Sequence, residues 1–241
     1  MAILQSVVSL IYPDQCLLCR NYVDRHGGLC AACWRDVRMI SGHACDLCDA
    51  PLVGAGDGSA DYCDECIATP RPWAHGRAAL AYEGAGRRMI LALKYGDRTD
   101  LAAPAASWMA RRAADVLAPE TVFVPIPAHW RRLLQRRYNP AVELARALAH
   151  QTDLSDLPDA LIRQRSTPTQ EGLGVDERYA NLRGAIVANP LRAPLIQDAE
   201  ICLVDDAMTS GATLSAATAA LLTAGARRVC TLVLARAVKD A

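Results

Sequence analysis

The segment ICLVDDAMTSGATLS, at residues 201–215, places two neighbouring carboxylates directly after a run of four apolar residues. Such a run predicts a buried strand, which we expect to end at Asp205 and Asp206. Two carboxylates at the end of a buried strand are costly to desolvate unless water, a cation or a hydrogen-bond donor reaches them. Because ligands bind outside the carboxyl ends of strands in open α/β sheets, the pair predicts a ligand site.

The loop after the two carboxylates supplies groups that bind anions. Its hydroxyl and glycine residues are Thr209, Ser210, Gly211 and Thr213. Gly211 lets the backbone approach a ligand, and the helix predicted to follow directs its N-terminal N–H groups to the same place. With sugar hydroxyls donating to the carboxylates and a phosphate in the loop, the segment predicts a ribose 5-phosphate site. The alternative is a capping turn beside a solvated acidic pair; a Walker loop is excluded because GxxxxGK[ST] is absent from the sequence.

Eight of the ten cysteines form four CxxC pairs in the N-terminal part of the chain. The pairs are Cys16 and Cys19, Cys30 and Cys33, Cys45 and Cys48, and Cys63 and Cys66. Each CxxC turn directs two thiolates at one point, so four pairs predict two tetrahedral, structural zinc sites. Four disulfides are the alternative, which a reducing cytoplasm disfavours. The spacing leaves open whether consecutive pairs share a zinc ion or the middle pairs are exchanged in a cross-braced arrangement.

The cysteine-rich segment is acidic, with nine Asp or Glu against five Lys or Arg between residues 13 and 72. Four thiolates around one divalent cation add further negative charge. Since a nucleic-acid backbone requires a basic face, this balance argues against a DNA-binding finger and favours a structural or protein-docking role. A zinc ion with four cysteine ligands has no open position, so zinc catalysis is not expected.

Composition divides the chain near residue 72, which predicts a zinc-ribbon module at 1–72 and a larger domain at 73–241. The 241 residues include 26 Lys and Arg against 26 Asp and Glu, so gross charge indicates no polyanionic partner. No apolar run is long enough to predict a membrane span. The opening MAILQSVVSLIYP is interpreted as a short amphipathic helix rather than a signal peptide, and a cytoplasmic location is therefore expected.

Strand and helix patterns alternate after residue 74, which predicts an α/β fold with a mainly parallel sheet. Strands are predicted at residues 77–82, 121–127, 159–163, 185–188, 201–206 and 227–236. Helices are predicted at residues 84–95, 101–117, 139–151 and 212–224. The polar stretch at 165–184, with glycines at 172 and 174, is interpreted as a mobile lid, with an ordinary surface helix as the alternative.

Four arginines, at positions 131, 132, 136 and 137, follow the strand predicted at 121–127. Arg132 and Arg136 share a face at helical spacing, and like charges at that spacing repel, so a bound anion is expected there. Pyrophosphate, the phosphates of a larger substrate or a nucleic acid would fit. The alternative is a solvated basic face.

The segment DDAMTSGAT resembles the phosphoribosyl-pyrophosphate (PRPP) binding motif of type I phosphoribosyltransferases. The whole chain is similar to the ComF family, in which a double zinc ribbon precedes such a domain. Further similar pieces are LALKYGDR, PIPAHWRRLLQRRYNPAVELARAL and TPTQEGLGVDERYANLRGAI. The second piece matches the family pattern HxxRxxxRxxN at His129, Arg132, Arg136 and Asn139. The third matches at Gln170, Leu173, Arg178 and Asn181, although Ile186 replaces the usual aromatic residue.

The resemblance implies a type I phosphoribosyltransferase fold preceded by a zinc ribbon, and a PRPP site with Mg²⁺. The PRPP-binding residues it implies are Lys94, Tyr95, Arg132, Arg136, Asn181, Asp205, Asp206, Ala207, Met208, Thr209, Ser210, Gly211, Ala212 and Thr213. The residues implied in catalysis are Lys94, Arg178, Asp205 and Asp206. Lys94 and Tyr95 would meet the pyrophosphate, and Arg178 and Asn181, one helical turn apart, would close over it.

Three functions are consistent with these residues. The first is Mg²⁺-dependent phosphoribosyl transfer from PRPP to an acceptor that the sequence does not identify. The second is PRPP sensing without turnover, and the third is a DNA-handling adaptor that docks partners through its zinc ribbons. The family resemblance links the chain to natural transformation, which implies single-stranded DNA or a DNA-uptake helicase as partners. Lys94, Arg178 and Asn181 favour leaving-group chemistry; the oligomeric state stays open, with a dimer as one option.

Overall fold

The structure is a computed structural model that describes residues 13–24, 27–56, 58–165, 175–182 and 184–238, apart from the side chains at 131, 132, 135, 175, 176 and 178. The helix predicted at the start of the chain lies almost wholly outside the described residues, as do the motif residues Gln170 and Leu173. Within the described ranges, no helix is both long enough and apolar enough to cross a bilayer.

In the part of the chain that the structure describes, seven strands form two separate sheets. The strands are β1 (Gly76–Ala81), β2 (Val122–Pro125), β3 (Ser155–Asp156), β4 (Leu161–Arg163), β5 (Ile186–Ala188), β6 (Glu200–Met208) and β7 (Arg228–Arg236). Five of them form a sheet in the order β1-β7-β6-β2-β3, and every neighbouring pair is parallel. This confirms the predicted α/β fold with a mainly parallel sheet.

Nine α-helices surround the sheets in the described residues. They are α1 (Ala31–Arg35), α2 (Asp64–Ala68), α3 (Gly84–Tyr95), α4 (Ala102–Arg112), α5 (Trp130–Arg136), α6 (Pro140–Thr152), α7 (Val175–Leu182), α8 (Ala193–Ile196) and α9 (Ala212–Thr223). Two short 3₁₀ turns lie at Thr99–Leu101 and Pro190–Arg192. Helix α3 has the predicted bounds, α6 is shifted by one residue at both ends, and α9 ends one residue earlier than predicted.

The central strands are apolar on both faces because helices cover both sides of the sheet. Alternate residues of β6 enter different cores: Cys202 and Val204 pack in the core that contains α3, α4 and α6, whereas Ile201 and Leu203 pack in the core that contains α9. This explains the unbroken apolar run ICLV, which carries no polar alternation.

Two predicted strands do not join the main sheet. The segments predicted at 159–163 and 185–188 form β4 and β5, which pair antiparallel in a two-stranded ribbon, with Leu161 opposite Ala188. The two-residue strand β3 instead occupies the edge of the main sheet next to β2. Short apolar runs identify strands but not their partners, which are chosen by contacts distant in sequence.

Two predicted boundaries were wrong. Strand β6 continues past the two aspartates to Met208, because its ladder with β7 extends as far as Met208 opposite Arg236. The helix predicted at 101–117 ends at Arg112, and the chain continues in turns, with the amides of Val116 and Leu117 donating to the Ala113 carbonyl.

The cysteine-rich segment covers the outer edge of β1. The Ile40 amide donates to the Ala79 carbonyl and the Ala81 amide donates to the Arg38 carbonyl. Asp49, fully buried, accepts a hydrogen bond from the Ala78 amide and pairs with Arg112 of α4. The edge strand therefore has partners along its length, which prevents pairing with another chain.

The N-terminus of helix α6 is capped by Asn139, which also contacts the chain directly after β2. The Asn139 side-chain oxygen accepts from the Ala141 amide at 3.2 Å, and Pro140 occupies the first helical position. The side-chain nitrogen of Asn139 also donates to the Ile126 carbonyl at 2.8 Å. Asn139 therefore fixes the start of α6 beside the carboxyl end of β2, a structural role for a residue of the HxxRxxxRxxN pattern.

We expect Asn139→Ala to lower the free energy of unfolding by about 1–2 kcal/mol, because it removes the cap and leaves the Ile126 carbonyl without its donor. Asn139→Asp is the matched control: it keeps the accepting oxygen and loses only the donor, so its loss is smaller. Urea unfolding followed by circular dichroism measures both. An alanine variant as stable as the parent would contradict this role.

Candidate functional site

The eight paired cysteines form two tetrads. Cys16, Cys19, Cys30 and Cys33 form the first, and Cys45, Cys48, Cys63 and Cys66 the second, with all sulfurs of a tetrad within 4.8 Å of one another. Zn–S bonds of about 2.3 Å in a tetrahedron place sulfurs roughly 3.8 Å apart, so each tetrad fits one zinc ion. Consecutive pairs share a site, and the cross-braced alternative is excluded.

The two carboxylates of β6 leave the strand on opposite faces, because neighbouring side chains of a strand alternate. Asp206 follows Cys202 and Val204 onto the face of α3, and Asp205 follows Ile201 and Leu203 onto the other face. The Asp205 Oδ1 atom accepts a hydrogen bond from the Asp206 amide at 2.9 Å. The pair is therefore not a single two-carboxylate face.

Asp206 pairs with Lys94, the first contact between two predicted site residues. The Lys94 Nζ atom lies 2.8 Å from Asp206 Oδ1, and both side chains are largely buried. Burial lowers the pKa of Lys94, but the carboxylates of Asp206 and Asp205 outweigh this effect and raise it above its usual value. Lys94 is therefore charged at neutral pH and is fixed beside the carboxylate pair by the last turn of α3.

The surroundings of Asp205 destabilise its charged form. Burial first, and then the neighbouring Asp206 carboxylate, raise the pKa of Asp205 to about 7. Lys94, the Asp206 amide and Arg163 of β4 act in the opposite direction without cancelling the increase. A carboxyl group that titrates near neutral pH gains from a ligand hydroxyl or a cation that stabilises its charged form.

The loop between β6 and α9 leads directly into the N-terminus of α9, and its role as an anion site stays a prediction. Ala207 and Met208 end β6, Thr209 is exposed, and Ala212 and Thr213 begin α9. Gly211 has a φ of +77°, and a side-chain carbon placed there would lie 3.0 Å from Arg71 Nη1 and 3.1 Å from Trp73. Only glycine fits this conformation and this space, which leaves the first amides of α9 facing the loop.

The predicted pyrophosphate residues are placed only in part. The Arg136 guanidinium lies 4.7 Å from the centre of the exposed Tyr95 ring, so α5 and the end of α3 meet. Arg132 and Arg178 belong to α5 and α7, but their side chains are outside the described part of the structure. Their roles stay predictions.

Helix α7, which carries Arg178 and Asn181, packs against the loop. Tyr179 donates from its hydroxyl to the Ser210 carbonyl at 3.2 Å, and it packs with Ala212 of α9. The Asn181 Nδ2 atom is buried without a hydrogen-bond partner among the described residues. The segment interpreted as a lid therefore includes a helix that already touches the loop.

Sequence reasoning missed three residues that support the loop. Arg71 donates to the Ser210 carbonyl, Arg236 donates to the Thr209 carbonyl, and Glu65 pairs with both arginines. Arg71 lies in the segment ATPRPW, which has the composition of a linker, and Arg236 ends an apolar strand. Arg71 therefore has no sequence signal, whereas Arg236 is an arginine at the end of a pattern that predicts burial.

Comparison with known proteins gives two family matches. Residues 7–67 match the double zinc ribbon domain, and residues 138–240 match the phosphoribosyl transferase domain. The second match spans β3 to β7, and therefore contains the two aspartates and the loop after them.

Several curated proteins are similar over nearly their whole length. DNA utilization protein YhgH of Salmonella typhi is 31% identical over 91% of this chain and 96% of its own. The protein of the same name from Escherichia coli K12 is 28% identical with the same coverage. Competence protein F of Haemophilus influenzae is 26% identical over 92% of this chain and 97% of its own.

Among solved structures, one match is the allosteric regulatory enzyme of purine biosynthesis, at 17% identity and a TM-score of 0.40. It covers 60% of this chain, which spans only 30% of the length of that enzyme.

We expect Asp205→Asn to raise thermal stability at pH 8. The folded-state pKa of Asp205, about 7, exceeds the model-compound value of about 3.9, so the folded protein loses stability as pH rises through this interval. Removing the charge should raise the melting temperature by roughly 2–6 °C at pH 8 and by clearly less at pH 5, because about two of the roughly three pH units between the two pKa values lie above pH 5.

Asp206→Asn is the control for this measurement, because it breaks the ion pair with Lys94 and should lower the melting temperature at pH 8. Differential scanning calorimetry measures both variants at both pH values. An Asp205→Asn protein that melts below the parent at pH 8 would show that this carboxylate is not strained.

Proposed function

Because the chain belongs to the ComF family, in which a double zinc ribbon precedes a type I phosphoribosyltransferase domain, we propose that it binds PRPP and transfers its phosphoribosyl group to an acceptor. The proposed division is residues 1–72 for the ribbons and 73–241 for the transferase domain, in the cytoplasm. The observation that carries the proposal is the arrangement of Asp205, Asp206 and Lys94 beside the 209–213 loop.

The ribose 5-phosphate half of PRPP fits the end of β6. The 5-phosphate would occupy the 209–213 loop, where the hydroxyl groups of Thr209 and Thr213 and the first amides of α9 are hydrogen-bond donors. The ribose hydroxyls would donate to the carboxylates that precede the loop. Such a bond stabilises ionised Asp205, whose burial otherwise favours the protonated form.

The pyrophosphate half would lie towards Lys94 and α5. Lys94 is fixed by Asp206 in the free protein, and this pre-positioned ammonium group would stabilise the negative charge that develops on the leaving pyrophosphate. Tyr95 and Arg136 continue this side of the site, and Arg132 on the same helix is proposed to join them. Arg178 and Asn181 would approach from α7.

In the proposed reaction the bond between C1 of the ribose and the pyrophosphate oxygen breaks, and its electron pair leaves with pyrophosphate. The acceptor supplies the electron pair of the new bond to C1. Since positive charge develops on the sugar meanwhile, the ionised Asp205 and Asp206 stabilise the transition state as well as binding the hydroxyls. Water would attack the same centre, and α7 is placed to exclude it.

Mg²⁺ prefers oxygen ligands, and the carboxylates of Asp205 and Asp206 together with PRPP oxygens form such a set. When bound with PRPP, Mg²⁺ would neutralise part of the pyrophosphate charge.

A second candidate function is single-stranded DNA handling. Trp130 and Tyr95 expose more than half of their surfaces, and the Arg136 guanidinium lies over the Tyr95 ring. Exposed aromatic rings beside arginine are the groups on which unpaired bases stack. The names of the relatives, DNA utilization protein and competence protein, agree with this candidate.

We predict that the protein binds PRPP in the presence of Mg²⁺ and that Asp205→Asn combined with Asp206→Asn weakens binding by about 100-fold or more, because each charge-assisted hydrogen bond contributes about 1.5–3 kcal/mol. Isothermal titration calorimetry measures the affinity. Glu120→Gln is the control, since Glu120 is an exposed carboxylate that pairs with Arg227. Unchanged affinity in the double variant would exclude the proposed site.

We also predict Mg²⁺-dependent release of pyrophosphate from PRPP when the correct acceptor is present, and a loss of about 100-fold or more in Lys94→Gln. A panel of nucleobases, amines and single-stranded DNA ends, with an enzyme-coupled pyrophosphate assay, tests this. PRPP binding without release from any acceptor would support the sensing function; DNA binding alone would support the adaptor function.

A further inference from the structure

Arg71 connects the second cysteine tetrad to the 209–213 loop. Its Nε atom lies 3.5 Å from the sulfur of Cys66, and its Nη1 atom donates to the Ser210 carbonyl and to the Tyr179 hydroxyl at 2.5 Å each. Its Nη2 atom donates to Glu65 at 3.1 Å. The side chain is 1% exposed, so all of these contacts are made in the interior.

Arg236 makes a second connection of the same kind. Its Nη1 atom donates to the Thr209 carbonyl at 2.6 Å, and its Nη2 atom lies 3.8 Å from the sulfur of Cys48 and 3.0 Å from Glu65. This side chain is 3% exposed. Two consecutive loop carbonyls, at Thr209 and Ser210, are therefore held by two buried guanidinium groups.

The acceptors of these guanidinium groups come from two separate parts of the chain. Glu65, within α2 between the ligands Cys63 and Cys66, pairs with both arginines, and each arginine also contacts one ligand sulfur. A buried guanidinium is tolerated only while its charge is compensated, and hydrogen bonds to ligand thiolates are a recognised way to support a metal site. Zinc holds Cys48, Cys66 and the turn carrying Glu65 in one place, so it also holds the arginines.

The loop also contacts this side of the protein at Gly211. Gly211 is in the left-handed region, and Arg71 and Trp73 fill the space beside it. The Trp73 indole is fixed by a hydrogen bond to the Leu47 carbonyl, within the second ribbon. Arg71 and Trp73, which both contact the second ribbon, therefore form one wall of the loop.

The first tetrad contacts a different part of the protein, the segment that follows α3. Arg98, which follows α3, donates to the Leu17 carbonyl at 2.9 Å and pairs with Asp100. This contact offers a matched comparison: a partly exposed arginine that holds the other ribbon.

We propose that the second zinc ribbon holds the 209–213 loop in its ligand-binding conformation through the positioning residues Arg71 and Arg236, so that zinc in the second tetrad and PRPP in the loop strengthen each other's binding. The second half of this statement rests on the proposed function. Thermodynamic linkage requires the effect to be reciprocal, which makes it measurable from either ligand.

The first test measures the loop without PRPP. Arg71→Lys keeps the charge, but a single ammonium group cannot reach four separate acceptors as the guanidinium does. Hydrogen exchange followed by mass spectrometry should show the amides of residues 209–213 exchanging about tenfold faster in Arg71→Lys, with no change in Arg98→Lys. Both proteins should retain two zinc ions by elemental analysis. Equal loop exchange in the parent and in Arg71→Lys would overturn the proposal.

The second test measures zinc retention in a titration with a zinc-selective chelator that does not bind Mg²⁺. In the presence of saturating PRPP and Mg²⁺, the affinity of the protein for one of its two zinc ions should increase by about 5–150-fold in the parent and in Arg98→Lys. The increase should be much smaller in Arg71→Lys. Pyrophosphate alone controls for direct effects on the metal.

The outcomes separate the two proposals. If PRPP binds the parent without increasing the affinity for either zinc ion, the coupling is overturned and the proposed PRPP site stands. Failure of the parent to bind PRPP would exclude the proposed function. Faster hydrogen exchange of the loop in Arg71→Lys would, in that case, still show that the ribbon holds the loop in place. Glu65→Gln, which removes the carboxylate shared by both arginines, should reproduce the faster exchange; an unchanged loop in this variant and in Arg71→Lys would overturn the ribbon's role.

Discussion

Burial of the guanidinium groups of Arg71 and Arg236 is the interaction on which the connection between the zinc ribbons and the sheet depends. A buried cation destabilises a protein unless each donor finds an acceptor, and no single element of this chain supplies enough of them. The acceptors come from α2, from two cysteine turns and from the loop after β6. Compensating these two charges therefore brings the acidic cysteine-rich segment against the 209–213 loop. Part of the negative charge of the ribbon, that of Glu65, therefore compensates the two buried arginines.

A similar constraint shapes the carboxylate pair. Alternation along β6 separates neighbouring side chains, so Asp206 meets Lys94 and Asp205 remains on the face towards β4, where its ionisation is disfavoured. The free protein thus keeps one carboxylate neutralised and the other poorly compensated. Sites that bind polar ligands commonly accept such local cost, because the ligand removes it on binding. Under the proposed function, the ribose hydroxyls of PRPP would relieve the cost of ionising Asp205.

Local patterns predicted much of the fold and part of the candidate site. The CxxC spacing identified both metal sites, and periodicity gave the bounds of α3, because short-range geometry determines these features. The partners of β4 and β5 could not be predicted, since pairing depends on the packed whole. Arg71 was missed for the same reason: its acceptor at Ser210 lies 139 residues away, and nothing in ATPRPW distinguishes it from a linker. Tertiary contacts, which carry no local signature, decide such roles.

The hydrogen bonds between residues 38–40 and the outer edge of β1 bear on how this architecture is inherited. A ribbon that completes a sheet is not a module attached by a tether, because its removal would expose an unpaired strand as well as an uncovered core. Recombination near residue 72 would separate backbone partners that need each other for solubility. The two halves of the gene are therefore expected to pass between genomes together, and substitutions in one half are selected in the context of the other.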